Sequence, residues 1–264
     1  MRVRAMNATL RQIFKHKTYL VGLALCMFML KPLLAENLEI EASGFLEWNQ
    51  ENKSYIAKGD AIATQGGRTI EADEIIAFYA SEENRDITRI QAAGSVKFSD
   101  VLGSGYSDRL HYEMNTQTVT LNGNENYFES EEFTAQSSNQ IQFNELDGIL
   151  NLQDDAMISI SEARKIEAQR LEIQLSDDGN VTTINAEGDV KLTEKAGRIA
   201  YSGSAFYEAE NGNMTLSDSV EILDGNNQLR GDKAIINVET GYSKILAGSE
   251  NKRVTGKLIL GTSN

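Results

Sequence analysis

Few residues of this 264-residue chain could act in catalysis. His111 is the only histidine beyond residue 35, and it alternates with Leu110 and Tyr112. Because neighbouring side chains of a strand point to opposite faces, this spacing predicts a histidine on the solvent face. A serine hydrolase needs a histidine held by an acid beside a nucleophile. No Gly-x-Ser-x-Gly motif supplies that nucleophile, so we predict no such catalytic centre.

Paired carboxylates are a second candidate for chemistry. They occur at Glu82-Glu83, Glu131-Glu132, Asp154-Asp155 and Asp177-Asp178. A glycosidase uses two carboxylates about 5 to 10 Å apart, so one hypothesis is a secreted carbohydrate-active enzyme whose turnover depends on one of them. All the pairs except Asp154-Asp155 fall in predicted turns, where solvated acids are common. Because the calcium-binding loop patterns are absent as well, we predict no catalytic residue, no metal site and no cofactor.

The segments that would position these residues repeat six times between Tyr55 and Val238. Each unit centres on a small or acidic residue, here called a pivot, with apolar residues two and four positions to either side. The pivots are Gly59, Gly94, Gly123, Asp154, Gly188 and Asp218. Of the 24 flanking residues, only Glu125 is not apolar.

A period of two held over nine residues is typical of a strand with one buried face. Glycine at the pivot suits a bend where no Cβ fits. A second alternating segment follows each first one, best seen at 70–78 and 166–173, and turns rich in Gly, Asn and Asp separate the segments. The pattern predicts an all-β fold of consecutive antiparallel strands, forming one elongated domain over residues 36–264.

Residues 1–35 have a different character. A basic leader is followed by an apolar run from Tyr19 to Leu30 and by the small residue Ala35. This is the three-part form of a secretory signal, and the apolar run is shorter than a typical spanning helix. We therefore expect a signal peptide and export, with cleavage after Ala35 or retention as an anchor.

The remainder of the chain is strongly acidic. The first 35 residues hold six of the 25 basic residues and no acidic one, which leaves 19 basic and 39 acidic residues and a net charge of −20. Such a charge argues against nucleic acid as a partner. The only cysteine, Cys26, also lies in the first segment. We therefore expect neither a disulfide nor a thiolate metal site in residues 36–264.

Several short motifs resemble a known family when they are taken in order. They are Leu38-Glu39-Ile40-Glu41, the stretch 59–66 (Gly-Asp-Ala-Ile-Ala-Thr-Gln-Gly), the stretch 70–75 (Ile-Glu-Ala-Asp-Glu-Ile), Gly231-Asp232-Lys233-Ala234 and Lys252-Arg253-Val254-Thr255. Together they resemble the periplasmic lipopolysaccharide-transport family called LptA or OstA-like. The resemblance covers about residues 38 to 260.

This resemblance implies an open, twisted β-jellyroll whose interior is an apolar groove. It implies protomers that associate head to tail and carry lipopolysaccharide through the periplasm, between inner-membrane and outer-membrane components that have similar jellyroll domains. The chain is longer than the usual single-jellyroll member, by roughly two repeat units. That length leaves open whether the chain is the bridge itself or a related docking component.

The alternation also predicts which residues would meet lipid. The expected groove residues are Ile40, Tyr55, Ala57, Ile90, Phe98, Leu110, Tyr112, Leu121, Ile141, Phe143, Leu152, Ile173, Val190 and Ile236. The expected stacking edges contain Leu38, Ile40, Val254, Leu258 and Leu260. The same alternation would serve a closed structural or filament-forming β-protein of the cell envelope equally well, so that hypothesis stays open beside the lipid-binding one.

Overall fold

The computed structural model describes residues 37–160, 164–194, 197–248 and 253–259, so the expected signal peptide and Leu260 lie outside the described residues. None of the described residues forms a helix of the length and apolar character needed to span a membrane. The described strands belong to the unit Leu38–Asn264. They are β1 (Glu39–Glu41), β2 (Phe45–Asn49), β3 (Ser54–Gln65), β4 (Arg68–Tyr79), β5 (Ile87–Ser99), β6 (Ser104–Glu113), β7 (Thr118–Asn122), β8 (Asn126–Glu129), β9 (Phe133–Ser137), β10 (Gln140–Asn144), β11 (Ile149–Ile160), β12 (Arg164–Leu175), β13 (Val181–Glu194), β14 (Ile199–Glu208), β15 (Asn213–Asp224), β16 (Asn227–Asn237), β17 (Ser243–Leu246) and β18 (Thr255–Lys257).

Every pairing between these strands is antiparallel, and the chain runs through them almost in sequence order. β3 to β6 pair consecutively, and so do β11 to β16. Between these two runs, β7 and β8 together occupy one position in the ladder, and β9 and β10 occupy the next. The predicted all-β fold of repeated antiparallel strands is confirmed.

Each long strand bends at its middle, and the bend is visible as a shift in pairing register. In β3 the shift falls between Lys58 and Ala61, and the two residues between them have positive φ, +87° at Gly59 and +40° at Asp60. The same left-handed pair recurs at Gly188-Asp189 in β13. Because two residues are passed over, apolar side chains before and after the bend keep pointing to the same side. Five of the six predicted pivots lie at such a bend with positive φ, Gly123 being the exception.

The bends divide the ladder into two facing sheets. Sheet A contains 45–49, 54–58, 74–79, 87–93, 109–113, 118–122, 140–144, 149–153, 170–175, 181–187, 204–208, 213–217, 233–237 and 243–246. Sheet B contains 39–41, 61–65, 68–72, 96–99, 104–107, 126–129, 133–137, 156–160, 164–168, 190–194, 199–202, 220–224, 227–231 and 255–257. Their inner faces form one hydrophobic core. The bends form a corner along one side of this core, and the turns between strands border the opposite side, here called the mouth.

Candidate lipid-binding interior

The structure places the predicted groove residues on the inner faces of the two sheets. Eleven of the fourteen are buried, and Ile40, Tyr55 and Phe143 are partly buried. The outward neighbours alternate with them: Lys97 is exposed beside Phe98, which is 6% exposed. The inner face is therefore continuous and apolar through both sheets, from the first long strand to the last.

At its N-terminal end this apolar face reaches the solvent. Leu46 and Trp48 of β2 pair with Ala57 and Tyr55, so they point inward, yet they are 60% and 44% exposed. The Trp48 indole stacks on Tyr55, with the ring centres 6.2 Å apart, and donates a hydrogen bond to the Tyr79 hydroxyl at 3.1 Å. Leu46 and Trp48 were missed by the sequence reasoning, although the alternation Leu46-Glu47-Trp48 was the available signal.

The predicted stacking edges lie at the two ends of the ladder. Leu38 and Ile40 are partly buried against the core. Val254 and Leu258 are 49% and 65% exposed, and Ile259 beside them is 55% exposed. Within the described part of the chain, β1 pairs with β3 alone and β18 with β16 alone. At each end of the ladder, apolar side chains therefore accompany a strand with one pairing partner among the described residues, a combination that favours pairing with another chain.

The predicted phase is wrong after Gly123. The strand stops there, and β8 resumes with Asn126 buried and Phe128 packed against the core. Glu125 is exposed, and Tyr127 lies on the outer face, where it stacks on Tyr106. The phase shifts by one residue because this corner lacks the two left-handed residues that preserve it elsewhere.

Arg68 links the two sheets across the mouth. It begins the sheet B part of β4, and its Nη2 lies 2.5 Å from Oε1 of Glu145, in a turn of sheet A. The same nitrogen lies 3.6 Å from Oδ2 of Asp100, in a turn of sheet B. Its guanidinium carbon is 4.4 Å from the ring centre of Tyr112 in sheet A and 5.8 Å from that of Phe98 in sheet B. We call the Arg68–Glu145 pair the latch.

The latch is largely shielded from solvent. The Arg68 and Glu145 side chains are 20% and 17% exposed, and the buried Nε of Arg68 has no hydrogen-bond partner. Burial is the largest single influence on the pKa of Arg68 and lowers it, but the charge attraction and hydrogen bonding of Glu145 and Tyr112 together outweigh burial, so the pKa lies above its usual value. Burial raises the pKa of Tyr112, and Arg68 offsets part of that rise. Arg68 therefore stays a cation, packed on the neutral phenol of Tyr112.

Two further arginines cross the mouth farther along the chain. Arg164 of sheet B donates from Nη2 to the backbone carbonyl of Val238 at 3.3 Å, and its guanidinium carbon is 5.7 Å from the Tyr207 ring centre. Arg198 pairs with Glu194 on its own side and donates from Nη1 to the Gly241 carbonyl at 2.9 Å. The mouth is therefore closed at several points by arginine side chains from strands or turns of sheet B.

An apolar pocket opens at the mouth near the middle of the chain. It measures ≈ 520 Å³ counting the space open to solvent, whereas the space that admits a water-sized molecule is only ≈ 20 Å³, about enough for one water. The interior is thus close-packed at this point. The lining residues are Phe98, Asp100, Leu102, Val119, Leu121, Phe128, Ser130, Phe133, Ile141, Phe143, Leu150, Leu175 and Gly179.

The residues considered for catalysis lie outside this interior. His111 is on the outer face, with Nε2 2.7 Å from Glu113 Oε1. Asp154 and Asp155 form the corner of β11, where they accept hydrogen bonds from Asn139 and Ser138. Among the described residues, no group of three or more His, Cys, Asp or Glu side chains could hold a metal ion.

Two facing antiparallel sheets of bent strands around one apolar interior define a twisted β-jellyroll. A profile of the family described as LptA/(LptD N-terminal domain) LPS transport protein matches residues 39–147 and again residues 137–242. These matches cover most of the chain, which therefore belongs to this family of lipopolysaccharide-transport proteins, as the sequence motifs predicted.

The other comparisons add little. A similar solved structure is that of LptH from Pseudomonas aeruginosa, whose title calls it the LptA-homologous periplasmic component of the lipopolysaccharide transport device. It is 11% identical, the match covers 85% of this chain and 96% of that one, and the TM-score is 0.22, a level at which it carries no argument. No curated protein sequence matches the chain.

The double family match agrees with the spacing of the pivots. Gly59, Gly94 and Gly123 are followed 94 or 95 residues later by the other three pivots, Asp154, Gly188 and Asp218. The six units are thus two copies of a three-unit domain, here called the first copy (39–147) and the second copy (137–242). The presence of two copies agrees with the expectation that this chain is longer than a single-jellyroll member.

Proposed function

We propose that this chain carries lipopolysaccharide through the periplasm, holding the acyl chains between its two sheets and performing no catalysis. The observation that supports this most is the apolar inner face, which runs without a break through both copies of a lipopolysaccharide-transport domain. An acyl chain loses about 0.8 kcal/mol per CH₂ group when it is exposed to water. Movement of such chains through an aqueous compartment therefore requires a continuous apolar path.

The strongly acidic exterior constrains how the lipid would lie. Lipopolysaccharide head groups are anionic, and residues 36–264 carry a net charge of −20. We infer that phosphates and sugars stay in solvent while only the acyl chains enter between the sheets. The two exposed ends, with Trp48 at one and Leu258 at the other, would join copies of this chain or related jellyroll domains of the inner-membrane and outer-membrane components.

A pair of photo-crosslinking variants tests the proposal. A photo-activatable side chain at Phe98 points inward, whereas one at Lys97 points to solvent on the same strand. In cells that export the protein, we expect lipopolysaccharide adducts at position 98 and none at position 97. Adducts at neither position, from a folded protein, would contradict the proposal.

A closed structural β-protein of the envelope is the second candidate. The observation that favours it is the close packing of the interior, where the pocket admits only ≈ 20 Å³. Organic extraction of the purified protein followed by mass spectrometry separates the two functions. Lipid in the extract supports transport, and its absence together with no adduct at Phe98 supports the structural role.

A further inference from the structure

The strands that line the apolar pocket differ from the other strands at the corner. β7 and β8 are separated at 123–125, and β9 and β10 at 138–139, whereas each long strand on either side is continuous through the corner. Among the described strands, only the first and last pairs of the ladder are divided in the same way. The pocket takes six of its lining residues from β7 to β10.

At this interruption side-chain hydrogen bonds supplement the backbone ones that remain, from the N–H of Gly123 to the Asn139 carbonyl and from that of Ser138 to the Asp154 carbonyl. Asn126 donates from Nδ2 to the carbonyls of Gly123 and Ser137 at 3.0 and 3.2 Å. The Ser137 hydroxyl accepts from the backbone N–H of Asn139 and Gln140. The Oδ1 of Asn126 is buried without a hydrogen-bond partner. Since the strands themselves are interrupted at this corner, we expect it to bend at lower cost than a corner crossed by continuous strands.

The latch lies at the mouth opposite this corner. Asp100 and Phe98 line the pocket and also contact Arg68, so the latch borders the pocket directly. Leu102, in a turn of sheet B, approaches Gly179, in a turn of sheet A, across the same mouth, where a Cβ on Gly179 would lie 3.5 Å from Leu102 Cδ2. An interrupted corner, an apolar pocket and a charged closure thus lie in one region of the ladder, from β4 to β12.

The geometry points to a lateral port for a single acyl chain at the junction of the two copies. The Arg68–Glu145 latch releases, and β7 to β10 bend at their interrupted corner. The acyl chain of the lipid then passes from the mouth into the pocket. An acyl chain is the fitting ligand because four phenylalanines and several aliphatic residues line the pocket. Its only charged group, Asp100, faces Arg68. This inference rests on the proposed function and adds the place at which lipid is admitted.

The rate at which lipid reaches Phe143 tests the port. Purified full-length protein with a photo-activatable side chain at Phe143 is mixed with lipopolysaccharide and irradiated at successive times. We expect Arg68→Gln and Glu145→Gln to raise the initial adduct rate about tenfold, equivalent to about 1.4 kcal/mol. The control Arg230→Gln removes an outward ion pair to Glu221 that lies within one sheet, and we expect it to leave the rate unchanged. Added salt should accelerate the parent but not Arg68→Gln.

Two further variants keep the test decisive if a single substitution impairs folding. Arg68→Lys keeps a positive charge beside Glu145 and Asp100, so it should fold and keep the rate closer to that of the parent than Arg68→Gln does. With Cys26→Ser, the pair Leu102→Cys and Gly179→Cys can be joined by dibromobimane, which should abolish adducts at Phe143.

Three results would overturn the port. They are equal rates in the parent and both latch variants, continued labelling of Phe143 after crosslinking, and adducts at Phe98 without any at Phe143. The last result leaves the proposed function standing. Adducts at neither inward position, in folded parent protein, would instead contradict the proposed function itself.

Discussion

The two copies of the domain differ in how each closes its mouth. In the first copy, Arg68 packs over Tyr112 and pairs with the carboxylate of Glu145. In the second copy the arginine and tyrosine recur, but the arginine donates to a backbone carbonyl. The corresponding residues, 93 to 96 positions later, are Arg164, Tyr207 and Val238.

This difference separates what the fold requires from what it does not. The second copy closes its mouth with an arginine on a tyrosine and no carboxylate at the position of Glu145, so the architecture does not depend on that ion pair. The charge pair of the first copy is therefore available for a separate role. Because salt screens the attraction between two opposite charges more than a hydrogen bond from a cation to an uncharged carbonyl, the two mouths should respond differently to ionic strength.

The largest expected effect comes from charging the interior of either copy. Leu121 and Leu216 lie two residues before equivalent pivots and are 3% and 0% exposed. Leu121→Asp and Leu216→Asp each bury an unpaired carboxylate, so we expect a loss of at least about 4 kcal/mol in the free energy of unfolding. Urea titration measures this loss, and crosslinking at Phe98 should show no lipid adducts.

Lys97→Asp, on the outer face, is the control for these two variants. We expect it to change stability by less than about 0.5 kcal/mol. If either folded interior variant loads lipid normally, the corresponding copy does not form part of the lipid path.

The next effect concerns the corners, which the two copies share. Gly94 and Gly188 have φ of +82° and +80°. A Cβ on Gly94 would overlap the Asp73 carboxylate, and one on Gly188 would lie 2.6 Å from Gln169 Oε1. Gly94→Ala and Gly188→Ala should each lose about 1 to 3 kcal/mol on urea unfolding. Adding Asp73→Ala to Gly94→Ala should recover part of the lost stability. If nothing is recovered, backbone strain alone causes the loss.

The regular part of this fold could be read from the sequence, and the mouth could not. Alternation around pivots such as Gly59 reports the inner face directly, because side-chain direction in a strand depends only on position. The alternation gave the wrong inner face after Gly123. The corner there contains a different number of residues, so inward and outward positions exchange. The latch joins Arg68 to Glu145 over 77 residues. No local sequence pattern indicates such a contact, because it depends on how the strands between Arg68 and Glu145 are arranged in the two sheets.

A smaller expected effect is a different salt dependence of the stability that each mouth contributes. At low ionic strength we expect Arg68→Gln to lose about 1 to 2 kcal/mol of stability, since a shielded charged hydrogen bond is removed. We expect Arg164→Gln to lose about 0.5 to 1 kcal/mol. In 1 M NaCl the first loss should shrink, because the Debye length falls to about 3 Å, and the second should not. Urea unfolding at the two salt concentrations measures both, and equal salt dependence would refute the contrast.

The smallest effect comes from converting the second mouth into the first. Val238→Glu places a carboxylate at the position equivalent to Glu145, within reach of Arg164, but gives up valine contacts with the core. The net change in stability should therefore be close to zero. A double-mutant cycle with Arg164→Gln isolates the new pair, and we expect a coupling of about 0.5 to 1 kcal/mol that falls with salt. If the new glutamate at position 238 shows no coupling to Arg164 although Glu145 is coupled to Arg68, the presence of a carboxylate does not by itself explain the difference between the two mouths. The deciding feature would then be the burial of the latch by Asp100, Tyr112 and Phe98, because shielding from solvent strengthens an ion pair.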